Sequence, residues 1–198
     1  SIGAPGQSLD GRLAAFFDLD KTIITFGFDT AVSFATDCLD RLHSTAEAHR
    51  RIMVVEVMGR HAGWIAAAGG LAQEHEGEAP HIILFPEITF DEDAFLARVK
   101  ECVERYEYCA IVVSEGLRNA EGKFIAEAGT RDAFGHAQLG GVGPLIAKTV
   151  KDALGYKYHW AVADYLQRSA RHLASKTDLA QSYAVGKAAV ELALKGHN

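Results

Sequence analysis

The sequence predicts an α/β protein built on a parallel sheet flanked by helices. Two observations carry this. Short apolar runs alternate with stretches of helical periodicity, each about ten residues or longer, which is the pattern of βαβ units. One run, in R-I-M-V-V-E-V-M-G-R-H-A-G-W (51–64), is apolar from residue 52 to 57 with only Glu56 interrupting it, and stops at a glycine. A near-continuous apolar strand is one buried on both faces, as in a parallel sheet.

Residues 1–12 contain Gly, Pro and Ser and read as a loop, and 13–17 form a short apolar strand ending at Asp18. Residues 30–42 have helical spacing, with Ala31, Phe34, Ala35, Cys38, Leu39 and Leu42 on one face and Asp29 placed to cap it. After the 52–57 strand, a helix is expected over 64–73, broken or tightly packed at Gly69 and Gly70. A strand at 81–85 ends at Pro86, and an amphipathic helix spans 91–106. Residues 110–113 form another buried strand, with Ser114, Glu115 and Gly116 at its end. Residues 140–154 open with G-G-V-G, become helical and close at Gly155. A strand at 156–163 and a long helix at 178–195, closed by Gly196, complete the order. No repeat and no low-complexity segment interrupts it.

The chain has 198 residues, 48% hydrophobic and 23% charged, which fits a globular domain rather than a disordered one. Its net charge of −6 argues against a nucleic-acid binder. The three cysteines, Cys38, Cys102 and Cys109, form no metal-ligand spacing and suit a reducing compartment. No apolar run approaches the roughly 18 residues of a membrane span, and no signal-peptide core opens the chain. A cytoplasmic protein with no membrane partner is expected.

The chemistry concentrates at strand ends, where open α/β sheets bind ligands. Gly59 lets backbone come close to a ligand, and Arg60 sets a planar cation beside it. This points to an anionic small molecule. His61, His159 and His172 lack metal-ligand spacing and read as ordinary histidines. Trp64 and Trp160 read as core residues. Gly140-Gly141-x-Gly143 is compatible with either a phosphate loop or a packing turn.

Six ordered blocks resemble the sugar-phosphate half of the phosphofructokinase family: T-F-G-F-D-T-A (25–31), V-E-V-M-G-R (55–60), F-P-E (85–87), I-V-V-S-E-G (111–116), G-V-G-P-L-I-A (141–147) and Y-L-Q-R (165–168). The wording from 163 to 178, with Tyr165, resembles the pyrophosphate-dependent clade. The resemblance implies Rossmann-like layers and a 6-phosphofructokinase, phosphorylating fructose 6-phosphate at O1 with pyrophosphate or ATP. It implies that Arg168 and Tyr165, with Leu166 and Gln167 between them, receive the 6-phosphate. It implies that Glu115 accepts from sugar hydroxyls and that Met58, Gly59 and Arg60 wall the sugar, Arg60 lying near the transferred phosphoryl. Arg51 is implied to complete a neighbouring subunit's site, so a homo-oligomer is expected. Forked guanidinium N–H pairs suit a phosphate that carries close to two negative charges. Fructose 6-phosphate or fructose 1,6-bisphosphate is the expected partner, and Mg²⁺ the expected cofactor.

Residues 1–24 resemble another family. L-A-A-F-F-D-L-D-K-T (13–22) is similar to the first motif of haloacid dehalogenase-like phosphatases, in which the match to Asp18 is the nucleophile and the match to Asp20 the general acid/base, with carboxylates on Mg²⁺. The resemblances therefore divide the chain into 1–24 and 25–198. The donor-phosphate loops and the T-I-D-N-D loop of phosphofructokinases are not found, so an incomplete chain of low activity is expected. Two alternatives accompany this expectation: a non-catalytic sugar-phosphate-binding or interaction module, and a Mg²⁺-dependent phosphatase using Asp18.

Overall fold

The computed structural model describes residues 27–131 and 137–196. The expected loop at 1–12, the strand at 13–17, Asp18 and Asp20 lie outside the described residues. The chain divides into a larger unit, Val32–Leu166, and a smaller one formed by Ser1–Ala31 with Gln167–Asn198.

The larger unit is a parallel sheet between two helical layers, as expected. Its strands are β1 (Ile52–Val57), β2 (Ile82–Leu84), β3 (Cys109–Ser114) and β6 (Tyr158–Val162), in the order β2-β3-β1-β6. All three pairings are parallel, with Val54 opposite Ile111 on one side and Trp160 on the other. Every strand therefore delivers its carboxyl end to the same edge. The two central strands are buried throughout, which is why they read as apolar runs without alternation.

The period of two divides β1 between two cores. Ile52 and Val54 join Ile111, Val113, Phe95, Val99, Val142, Ile146 and Val150 on one face. Met53, Val55 and Val57 join Val112, Ala35, Leu39 and Ala66 on the other. Helices α3 (Glu92–Tyr106) and α4 (Val142–Leu154) cover the first face, and α1 (Phe28–His49) and α2 (Trp64–Ala68) the second. Each fully buried aliphatic side chain contributes about 1.5–3 kcal/mol.

Local signals explain most boundaries. Asp91 caps α3 by accepting from the Ala94 N–H at 3.0 Å. Gly155, in the left-handed conformation at φ 74°, ends α4. The helix expected over 64–73 tightens after Ala68 into a 3₁₀ turn, Gly69–Ala72. A Cβ on Gly69 would lie 2.8 Å from the Leu39 side chain, so the break follows from close packing on α1.

Several expectations are corrected. Helix α1 runs from Phe28, so Asp29 lies in its first turn rather than capping it. Trp64 is 70% exposed and Trp160 46% exposed, so neither is a core residue. Trp64 opens α2 at a shallow crevice with Phe85 and Ile88, and Trp160 points outward from the edge strand β6, stacked on Tyr158. The hairpin β4 (Glu127–Arg131) and β5 (Ala137–Leu139) and the short helix α5 (Asp164–Arg168) had no sequence expectation. Both are too short for periodicity to register.

In the smaller unit, α6 (Lys176–Leu194) is capped by Ser175, whose hydroxyl accepts from the Asp178 N–H at 2.9 Å. Asp178 in turn accepts from the Thr30 N–H at 2.8 Å and from its hydroxyl at 2.5 Å. The start of α1 is thus capped by a carboxylate 148 positions away in sequence.

Candidate functional site

The loops after β1 and β3 interlock at the carboxyl edge of the sheet. These strands pair through Val57 and Ser114, so their next residues meet. The Glu115 N–H donates to the Val57 carbonyl at 3.0 Å, and the Gly116 N–H to the Gly59 carbonyl at 3.0 Å. The Ser114 hydroxyl donates to the same Gly59 carbonyl. In return, the Gly59 N–H donates to Glu115 Oε1 at 3.2 Å.

The glycines are required here. Gly59 has φ 144°, and a Cβ on it would lie 2.5 Å from Ser114 Oγ. A Cβ on Gly116 would collide with the Arg60 carbonyl. Further along the first loop, the Gly63 N–H donates to Glu87 Oε1 at 2.8 Å, which ties it to the turn after β2. Three strand ends are therefore joined into one floor by backbone donors and acceptors.

Met58, Gly59, Arg60 and Glu115 are half-buried at this floor. One Glu115 oxygen engages Gly59, and a carboxylate has about four lone-pair sites, so it retains acceptor capacity. No carboxylate among the described residues pairs with the Arg60 guanidinium, whereas Arg41, Arg50, Arg98 and Arg105 elsewhere on the surface each pair with one. The arrangement offers a planar cation and a hydroxyl acceptor side by side.

The third wall comes from the end of β6. The Ala163 N–H donates to the Glu56 carbonyl at 3.0 Å, carrying the chain to Tyr165 and Leu166 in α5. Both are well exposed, at 69% and 64%. Gln167, which follows them in the smaller unit, is fully buried. Arg168 ends α5, and its side chain lies outside the described residues.

Arg51 is placed elsewhere. It precedes β1, whereas Met58 follows it, and six strand residues at about 3.3 Å each separate the two by about 20 Å. Its Nε is buried with no hydrogen-bond partner among the described residues. Within one chain it cannot reach the floor formed by Met58, Gly59, Arg60 and Glu115. The described residues also contain no group of three His, Cys, Asp or Glu suited to a metal ion, so they do not by themselves fit Mg²⁺.

Sequence reasoning missed one residue of consequence. Glu56 is buried in β1 and accepts from the Gly143 N–H at 2.7 Å, at the start of α4. Burial pushes its carboxyl up; the amides of Gly143 and Gly141 oppose this, and the nearby Glu115 and Asp164 add to it. The G-G-V-G turn thus holds a carboxylate of its own chain. The signal was present: an acid inside an otherwise apolar strand requires a partner.

Comparisons with known proteins identify the family. The phosphofructokinase family model matches residues 17–193, a span that includes the 13–22 segment from Phe17 onward and with it Asp18 and Asp20. The pyrophosphate–fructose 6-phosphate 1-phosphotransferase of Methylococcus capsulatus is 63% identical over 200 residues, covering 98% of this chain and 47% of that protein. Its counterpart from Halomonas elongata is 57% identical over 185 residues, covering 91% and 44%. The crystal structure of a pyrophosphate-dependent phosphofructokinase from Marinobacter aquaeolei superposes with a TM-score of 0.69 at 48% identity, over 87% of this chain and 40% of that one. The chain spans about half the length of the curated relatives it matches. With interlocked M-G-R and S-E-G loops at the edge of a parallel sheet and a family match over most of its length, the chain belongs to the phosphofructokinase family.

Proposed function

We propose that this chain supplies the sugar-phosphate side of a 6-phosphofructokinase that uses pyrophosphate as phosphoryl donor. The observation that carries this is the joined floor at the ends of β1 and β3, where Arg60 and Glu115 stand together. The relatives named above support pyrophosphate over ATP as donor.

Phosphoryl transfer depends chiefly on positioning and on neutralising charge spread over the transferred group's oxygens. Arg60 would lie beside the transferred phosphoryl, with the Gly59 backbone allowing close approach. Glu115 would accept from sugar hydroxyls through the oxygen not taken by Gly59. Arg168 would offer its forked N–H pair, and Tyr165 its hydroxyl, to the 6-phosphate of fructose 6-phosphate, or of fructose 1,6-bisphosphate in reverse, with Leu166 and Gln167 spacing the two along α5. Arg51, about 20 Å from the floor of its own chain, would serve a second copy, which makes a homo-oligomer the working form. Mg²⁺, when bound, would neutralise donor charge. Its ligands would have to come from outside the described residues, Asp18 and Asp20 included.

Calorimetric titration with fructose 6-phosphate tests the assignment. Arg168→Ala should lose about 1.5–3 kcal/mol of this binding, the worth of a charge-assisted hydrogen bond, and Arg60→Ala should lose a similar amount with fructose 1,6-bisphosphate, which carries the transferred phosphoryl. Equal affinity in wild type and both variants rejects the site. Turnover with pyrophosphate or ATP and Mg²⁺ separates a transferase from a binding module. Hydrolysis of a simple phosphate ester that is abolished by Asp18→Asn would instead establish the phosphatase alternative. A strictly monomeric mass by light scattering at high concentration would reject the role of Arg51.

A further inference from the structure

We propose that Glu56 is a positioning residue whose carboxylate holds the walls of the sugar-phosphate site in register. Its side chain is 3% exposed and engages the Gly143 N–H at 2.7 Å. A Cβ on Gly143 would lie 3.2 Å from both Glu56 Cβ and Oε2, so the absence of a side chain there lets the carboxylate reach the helix start. Its own carbonyl accepts from the Ala163 N–H at 3.0 Å, two residues before Tyr165. Its backbone lies two residues before Met58, at the root of the M-G-R loop. One residue thus connects the floor, the G-G-V-G turn and the strand end that leads to Tyr165. It touches no expected ligand, so its effect passes through these neighbours.

The electrostatics give this role a distinct signature. The N-terminus of α4 carries partial positive charge and unpaired N–H groups, which favour an ionised Glu56. Glu115 at the end of β3 and Asp164 in α5 face it from the other packed elements and disfavour ionisation, as does burial. Protonation would convert one acceptor oxygen into an O–H donor facing backbone donors, and the turn would loosen. A glutamine at this position presents the same mismatch permanently, with an NH₂ group in place of one oxygen.

This role rests on the sugar-phosphate function proposed above, and the experiment separates the two. Wild type, Glu56→Gln and Arg60→Ala are titrated with fructose 1,6-bisphosphate from pH 8 to pH 5, and amide hydrogen exchange is followed in the free proteins. Glu56→Gln should exchange faster at Gly141 and Gly143 and bind about 5- to 10-fold more weakly at pH 8, the worth of about one ordinary hydrogen bond. The ratio of wild-type to Glu56→Gln affinity should fall towards one as the pH drops. The sugar phosphate's own titration is common to both proteins and cancels in that ratio. A purely architectural Glu56 would give a ratio independent of pH, and that result overturns the proposal. Faster exchange with unchanged affinity overturns it as well. If Arg60→Ala weakens binding and Glu56→Gln does not, the site stands and the positioning role fails. If wild type does not bind the sugar phosphate at all, the function fails first and the positioning role with it.

Discussion

The two ends of β1 share a backbone framework but differ in what side chains add to it. At the carboxyl end, contacts between loops run mostly through backbone: Gly116 to Gly59, Glu115 to Val57, Gly59 to the Glu115 side chain. Glycines hold the closest positions. At the amino end, backbone bonds such as the Arg51 N–H to the Ala46 carbonyl at 3.1 Å and the Cys109 N–H to the Arg51 carbonyl at 3.3 Å are reinforced by side chains. Tyr108 Oη lies 2.7 Å from His43 Nε2, and the His81 ring packs edge-on against Tyr108 at 4.8 Å. Arg50 pairs with Glu107 at 3.0 Å on the surface. At the carboxyl end the Arg60 side chain and one Glu115 oxygen take no part in these joins. The amino end closes on itself, except at Arg51, whose Nε is left without a partner among the described residues.

The sharpest way to break this contrast is Gly116→Ala. Its Cβ would strike the Arg60 carbonyl, and backbone cannot rotate aside as a side chain can. Urea unfolding should show a loss of about 3 kcal/mol, the upper range for overpacking, together with loss of sugar-phosphate binding. A loss below about 1 kcal/mol would mean that the two loops can slide apart.

Tyr108→Phe at the other end should cost about 1 kcal/mol, the worth of one hydrogen bond, and leave binding unchanged. A change in fructose 6-phosphate affinity would show that the two ends are coupled through β3.

Smaller again is a pH effect at His81. Its Nδ1 accepts from the Ala110 N–H at 3.1 Å, so its Nε2–H donates to the Gly77 carbonyl at 3.1 Å and the ring is neutral. Burial holds the imidazole below its ordinary 6.5, and His43 and Arg98 add to this. The unfolded chain therefore binds the proton more readily. The resulting stability is present above about 6.5 and is lost as the pH falls through the lower folded value. Melting curves from pH 8 to pH 5 should show this decline, and His81→Gln should flatten it. An unchanged slope in the variant would show that His81 is not the titrating group.

Arg50→Ala should fall within about 0.5 kcal/mol of wild type, because an exposed ion pair in water contributes little. A larger loss would point to the left-handed backbone at Arg50, φ 49°, rather than to the charge.

The sheet, and which residues stand at its strand ends, were legible in the sequence. β1 and β3 were legible because strands buried on both faces must be apolar throughout, and no other constraint writes V-V-E-V or A-I-V-V. α3 and α4 were legible because their caps and closing residues are local. M-G-R and S-E-G could be read as the loops that end β1 and β3 because a glycine directly after a buried apolar run ends the strand. Tertiary structure decided what depends on distant partners. The start of α1 is capped by Asp178, so Asp29 could not reveal it. Trp64 and Trp160 are apolar and large, but edge placement left them exposed. Glu56 is an anomaly in sequence and becomes a hub only when α4 brings its N–H groups onto it. Arg51 lies seven positions before Met58 in sequence and at the opposite edge of the sheet in space, because an extended strand converts sequence proximity into the greatest distance the chain allows.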